Sequence, residues 1–148
     1  MTLEAWQYLD PTKLVEVITT IMAMEHTAGT VMGTEFGVAK GATAVAVKVL
    51  PDGGSGPISN VIAGVNWSVG DVGSRSERGV LSMSLGGGGS SPMDSAVNSA
   101  IAAGIPVVTA SGNNAGDACN NSPGRAPNAI NVGNADNTDT LAFTSNYG

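Results

Sequence analysis

Charge is scarce in this sequence. Lysine, arginine, aspartate and glutamate make up 12% of its 148 residues, and no basic cluster occurs anywhere along it. Six Lys and Arg against twelve Asp and Glu leave a net charge of −6, which argues against nucleic acid and anionic membrane surfaces as partners. A single cysteine, Cys119, excludes an internal disulfide framework and any multi-thiolate metal site. A single histidine, His26, gives metal binding little to stand on; a lone histidine on a helix is by default a satisfied structural residue. No apolar run approaches the length of a membrane span. Met1–Asp10 lacks the cationic start of a signal peptide, so localisation stays unread. The sequons Asn66-Trp67-Ser68 and Asn120-Asn121-Ser122 carry little weight, because such tripeptides arise often by chance.

Hydrophobic residues and glycine are plentiful. With 42% hydrophobic residues and 21 glycines, the composition suits a buried α/β interior joined by tight loops rather than disorder. One domain's worth of chain can bury a real core. Leu14, Val15, Val17, Ile18, Ile21 and Met22 recur at helical spacing behind Asp10 and Pro11, which predicts one helix over 11–32. The β-branched run over 42–50 predicts a strand covered on both faces. A short helix over 58–69, a strand over 80–85 and a flexible four-glycine turn over 86–89 follow. Ser91 as N-cap, Pro92 and Asp94 form a capping box for the next helix, which Gly104 closes. Strands over 105–110 and 129–132 complete the set. The alternation predicts a doubly wound parallel sheet with helices on both faces. The loops 52–57, 86–91 and 111–121 then fall on one edge, beyond the carboxyl ends of the strands, where such sheets bind ligands.

Several chemistries are absent. Gly86–Gly89 is followed by no Lys-Ser/Thr pair, so it is not a phosphate-binding Walker loop, and no Gly-x-Ser-x-Gly nucleophile elbow exists. The acidic residues sit in apparent turns and exposed helix faces, where solvation is the plain reading and a carboxylate pair for glycoside chemistry is hard to place. On the residues alone the four glycines are equally well a turn or the wall of a groove, since a wall that admits another backbone needs residues without side chains.

From His26 to Gly148 an ordered series of motifs resembles the middle of the subtilisin family, closest to its proteinase K-like branch. They are His26-Thr-Ala-Gly-Thr30, Phe36-Gly-Val-Ala-Lys40, Val45-Ala-Val-Lys-Val-Leu50, Gly54-Ser-Gly56, Ser82-Met-Ser-Leu-Gly-Gly87, Ala110-Ser-Gly-Asn113, Asp117-Ala-Cys-Asn120, Ser122-Pro123, Ala126-Pro127 and Phe143-Thr-Ser-Asn-Tyr-Gly148. The resemblance implies a partial subtilisin-like domain over 26–148, preceded by a non-matching segment over 1–25 that the periodicity makes helical from 11. It implies serine endopeptidase chemistry on a peptide held as an extended strand between two enzyme strands. Position by position, Gly54, Ser55 and Gly56 would form one wall of that groove and Ser84, Leu85 and Gly86 the other. Ala110, Ser111 and Gly112 would line the primary specificity pocket. Asn113 would be the oxyanion-hole side chain, a contact worth about 3 to 4 kcal/mol to the transition state.

The family's catalytic triad finds no counterpart. Counting back from Ala28-Gly29-Thr30 puts the catalytic histidine's position at Ala23, which has no ring nitrogen. No Asp-Thr-Gly or Asp-Ser-Gly strand precedes His26, and the Gly-Thr-Ser-Met-Ala motif of the nucleophile belongs beyond Gly148. An improvised triad of Asp10, His26 and a groove serine is opposed by helix capping and groove geometry. The chain is therefore expected to be inactive as written, for example through a misplaced exon boundary ahead of His26. The alternative is a non-catalytic peptide-binding or decoy module, and the blandest option is an inert fragment. No cofactor is required. The resemblance implies a calcium site using the carbonyls of Pro127 and Ala129, with its aspartate downstream, so weak or no calcium binding is expected. It also implies a disulfide partner for Cys119 just past Gly148. The expected partners are an extended peptide substrate or inhibitor and, through open sheet edges, other copies of the chain.

Overall fold

The computed structural model describes residues 14–19, 21–75 and 78–148, with side chains from 26 onward. Readings that fall on Met1–Asp10 and Pro11 lie outside the described residues. Five parallel strands form the main sheet in the order β2-β1-β3-β5-β7, with β1 Leu14–Thr19, β2 Thr43–Lys48, β3 Gly79–Met83, β5 Val107–Ala110 and β7 Ile130–Val132. A two-stranded antiparallel piece pairs β4, Gly87–Gly88, with β6, Asn121–Ser122. The helices are α1 Ile21–Met32, α2 Ile58–Arg75 and α3 Ser91–Ala102. The chain steps from β1 to β2 on one side and then back across β1 to β3, so the winding direction reverses there.

Two expected boundaries change for identifiable reasons. The single helix expected over 11–32 divides into β1 and α1. Val15, Val17, Ile18 and Thr19 are β-branched, and pairing on both sides, Val17 with Ala46 and with Ser82, outweighs a helical spacing that short apolar runs share with strands. Ala23 falls inside α1. The short helix expected over 58–69 runs on through Gly70 and Gly73 to Arg75. Its buried positions Val61, Gly64, Val65, Ser68 and Val72 repeat at three and four residues, and packing of that stripe overrides the weak propensity of two glycines.

The core lies between one face of the sheet and α2 with α3. Leu81, Met83 and Val107 project from the strands against Val65 and Val97, all essentially shielded from solvent. Met93, Ala96, Val97 and Ala100 form the buried stripe of α3. Gly64 brings α2 onto the sheet so closely that a Cβ there would collide with Val49. On the opposite face, Thr27 of α1 shares a cleft with Ser82, Ser84, Val108 and Ala110, so helices flank both faces as expected. The strand β2, expected to be covered on both faces, is an edge strand. Thr43, Ala44, Ala46 and Lys48 are exposed, and only Val45 and Val47 turn toward the core.

The N-cap of α3 is Ser90 rather than Ser91, its hydroxyl accepting from the Met93 amide at 3.4 Å. Asp94 does not reach back as a capping-box partner; it bonds to distant residues described below. The four glycines are not a free turn, because Gly87 and Gly88 pair with Ser122 and Asn121.

Ser68 is fully buried on α2, and its hydroxyl has no hydrogen-bond partner among the described residues. A desolvated, unpaired hydroxyl costs stability without return. Ser68→Ala is expected to raise the unfolding free energy by about 1 kcal/mol, read as a higher urea midpoint at unchanged slope. A lower midpoint would show that the hydroxyl is paired in solution.

Candidate functional site

The carboxyl ends of β2, β3 and β5 bring three loops together, as the alternation of elements anticipated. A cavity of about 170 Å³ lies between Gly54, Ser55 and Gly56 on one side and Leu85, Gly86, Gly87 and Gly88 on the other. Its floor is apolar, made by Leu50, Ile58, Val61 and Met93. A second cavity of about 370 Å³ shares Leu85–Gly88 as one wall and takes Ala110, Ser111, Gly112, Asn113 and Asn114 as the other. The segment 85–88 is thus a ridge between two hollows, one apolar and one polar.

Both candidate walls of the first cavity carry open backbone. Gly54, Ser55, Gly56 and Gly86 are exposed, Leu85 is half-buried, and among the described residues no backbone hydrogen bond engages Ser55, Gly56, Leu85 or Gly86. Unpaired N–H and C=O groups in extended segments are a template for another strand. Asn113 is exposed on the rim of the second cavity, and no hydrogen bond occupies its amide among the described residues. Ser84 is exposed as well, within 3.2 Å of the Thr27 hydroxyl. The ten groove and pocket residues singled out from sequence therefore surround two adjoining hollows.

What lies behind the ridge was not legible in the sequence. Asp94, in the first turn of α3, accepts from Ser122 Oγ at 2.5 Å and from Arg125 Nε at 2.7 Å. Ser122 Oγ in turn accepts the Ser90 amide at 2.8 Å. The start of α3 and the segment 122–125 are thus tied at one carboxylate, which also sits at the favourable end of the helix dipole. Ser122 itself lines the first cavity, and its backbone pairs with Gly87 of the ridge. The signal available was the pair Ser122-Pro123 in the motif series, but nothing local links it to Asp94.

His26, read as a satisfied structural residue, is exposed. Its imidazole lines an open depression with Glu35 and Phe36 rather than packing in the core, because α1 turns that side away from the sheet. Cys119 is free and exposed. It stands beside Gly148, the Ala118 amide donating to the Tyr147 carbonyl at 2.8 Å.

Pro127 and Ala129 by themselves do not fill a calcium coordination sphere. Pro127 is exposed and Ala129 half-buried, and the amide of Ala129 donates to the Ala126 carbonyl at 3.0 Å. Among the described residues no group of three or more His, Cys, Asp or Glu side chains converges anywhere. Calcium takes six to eight oxygens and two carbonyls do not supply them.

A doubly wound parallel sheet with its hollows at the carboxyl edge, at strands flanking the reversal of winding, defines an α/β fold of the kind that works at that edge. Comparison with known proteins narrows the class. Residues 20–148 match the model of the subtilase family, Peptidase S8, and the chain belongs to that family, in its proteinase K-like branch. It is similar to Subtilisin-like protease 2 of Pseudogymnoascus destructans, 54% identical over 83% of this chain and 30% of that protein. Similarity extends to the Extracellular serine proteinase of Thermus sp. (strain Rt41A), 50% identical over 83% of this chain and 29% of that one. The crystal structure of a cold adapted subtilisin-like serine proteinase superposes with a TM-score of 0.81 at 34% identity, over 91% of this chain and 59% of that one. The chain therefore spans about 30% of the length of these curated relatives. Calcium is commonly bound in the family.

Asp117 holds the Cys119 thiol above the ordinary thiol range, first by hydrogen bonding to the thiol and then by its negative charge. Asp117→Asn keeps the capping oxygen that accepts the Cys119 amide and removes the charge. Thiolate is the reactive form, so alkylation by iodoacetamide at pH 8 should accelerate in Asp117→Asn. An unchanged rate would show that Asp117 does not act on the sulfur.

Proposed function

We propose that this chain is the peptide-cradling part of a subtilisin-like serine endopeptidase, holding the groove and the oxyanion donor without the triad, and that by itself it hydrolyses no peptide bond. The observation that carries the proposal is the pair of backbone segments 55–56 and 85–86, free of backbone hydrogen bonds among the described residues and lining an apolar hollow together, with the amide of Asn113 unoccupied in the next one.

An extended peptide entering between those segments would satisfy their N–H and C=O groups from both sides. Alternate side chains would fall into the floor formed by Leu50, Ile58, Val61 and Met93, and into the hollow lined by Ala110, Ser111 and Gly112. That register would bring a peptide carbonyl toward the Asn113 amide, whose N–H groups are suited to a developing negative oxygen. Chemistry needs a nucleophile and a base as well. Ala23, at the position that the family resemblance gives to the histidine, has no ring nitrogen to take a proton. Binding groups alone leave only a small residual acceleration.

A fluorophosphonate probe should leave the protein unlabelled, and a labelled band at this mass would overturn the inactivity. Binding of N-acetyl-tetra-alanine, followed by NMR shifts of the 54–56 and 85–86 amides, should weaken at least about tenfold in Gly86→Val with the fold kept, since a branched side chain would occupy the wall. Equal affinity in that variant would remove the groove. The open edges β2 and β7 and the exposed Phe36 and Phe143 also support association between copies. Sedimentation velocity should show a mass that rises with concentration, and a monomer at every concentration would count against it.

A further inference from the structure

Asn113 stands on a stretch, 111–117, with no helix or strand of its own. Three residues of another segment, Thr144, Asn146 and Tyr147, hold it. Asn146 is 2% exposed, and its side chain spends every hydrogen-bonding atom on this loop. Oδ1 accepts from the Asn114 amide at 3.1 Å and the Gly116 amide at 3.0 Å, while Nδ2 donates to the Ser111 carbonyl at 2.9 Å. The Asn146 amide donates to the Gly112 carbonyl at 3.0 Å. The residues on either side of Asn113 are thereby fixed, and Asn113 itself is left free to point into the cavity. Neighbouring bonds continue the clamp, from the Ala115 amide to the Thr144 carbonyl at 2.9 Å and from the Tyr147 amide to the Gly116 carbonyl at 3.0 Å.

The loop is shaped to receive this side chain. Gly112 has φ +107, and a Cβ there would stand 2.5 Å from Asn146 Nδ2. Ala115 is held at φ 53, a left-handed conformation that a non-glycine residue keeps only when its surroundings impose it. Only an uncharged amide of this length offers two acceptor sites and a donor at once: aspartate lacks the donor at neutral pH, and glutamine is a methylene too long.

We infer that Asn146 is the positioning residue for Asn113, setting the direction of its amide by locking the backbone before and after it. The role rests on the reading of Asn113 as the donor facing a peptide carbonyl, but it is measured separately from peptide binding. In the whole chain, NMR should show Asn113 with one χ1 rotamer and the Asn114 and Gly116 amides protected from exchange. Asn146→Ala should average the Asn113 rotamer and speed exchange at those two amides by about tenfold or more, while core amides such as those of Leu81 and Val97 change far less. Asn146→Asp keeps the acceptor for the Asn114 and Gly116 amides but loses the donor to the Ser111 carbonyl, so its rotamer order and protection should fall between those of the parent and Asn146→Ala, and it serves if the alanine variant does not fold.

Peptide affinity supplies a second reading. With N-acetyl-tetra-alanine, Asn146→Ala should weaken binding as much as Asn113→Ala, and the double variant no further, because one residue would act through the other. A fixed Asn113 in Asn146→Ala, loss of order in Asn146→Asp equal to that in alanine, or additive losses in the double variant would each overturn the inference. No peptide binding by the parent chain would remove the groove reading and leave the rotamer and exchange measurements to decide on Asn146.

Discussion

A wall made of glycine has no side chains with which to hold itself in place. Gly86, Gly87 and Gly88 are exposed and separate two hollows, yet a backbone so unconstrained would sample many shapes at a large entropic advantage. The geometry of the site therefore depends on what grips the ridge from behind. That grip is the pairing of Gly87 with Ser122 and the carboxylate of Asp94, which fixes Ser122 and Arg125 at hydrogen-bonding distance. Asp94 is partly shielded, its side chain 16% exposed, which strengthens both bonds relative to water. The charge is tolerable there because it has a cationic donor, a hydroxyl donor and the N-terminal end of α3 to face. Removing Arg125 would leave the carboxylate short of a counter-charge, whereas removing the Ser122 hydroxyl would cut the link between Asp94 and the strand that pairs with the ridge.

The same principle recurs on the other side of the second hollow. Residues 111–117 have little burial of their own, apart from Ser111, and are held instead by Asn146 and its neighbours. In both cases a shielded polar group from elsewhere in the chain stiffens an exposed loop, and the loop's outer face stays free of internal bonds. This division has a physical reason. A side chain that must bond a ligand cannot also be committed to the protein, so its orientation has to be imposed through the backbone.

These long-range ties mark the limit of what the sequence shows. Four of the five strands of the main sheet were legible as short apolar runs between turn residues, β-branched in β2 and β5, and the alternation with helices left one architecture. The loops at its carboxyl edge followed from that architecture and their residues from the motif series. The split of 11–32 into strand and helix was hidden because Val15, Val17 and Ile18 satisfy both periods, and only pairing with β2 and β3 decides between them. The extension of α2 beyond Gly70 depended on Val72 finding Gly79 across the fold. Asp94 looked like half of a capping box because local spacing favours that reading, yet its partners lie 28 and 31 residues away. Asn146 sits in a motif already noted, but a buried asparagine and a solvated one are identical in sequence.

Under the proposed reading, binding geometry and reaction chemistry are separable in this fold. Among the described residues, the groups that shape the two hollows come from the loops after β2, β3 and β5, and the groups that brace them come from α3, β6 and the segment 144–147. From α1, where the resemblance places the catalytic base, the Thr27 hydroxyl meets the wall residue Ser84 at 3.2 Å, apart from the bonds that brace the ridge and the Asn113 loop. A groove braced in this way keeps its shape whether or not a base stands beside it, so losing the base removes proton transfer without loosening the walls. Under the proposed reading this is why a chain with alanine at that position can still present a peptide-shaped cleft, with Asn113 aimed by bonds that do not pass through the reacting atoms.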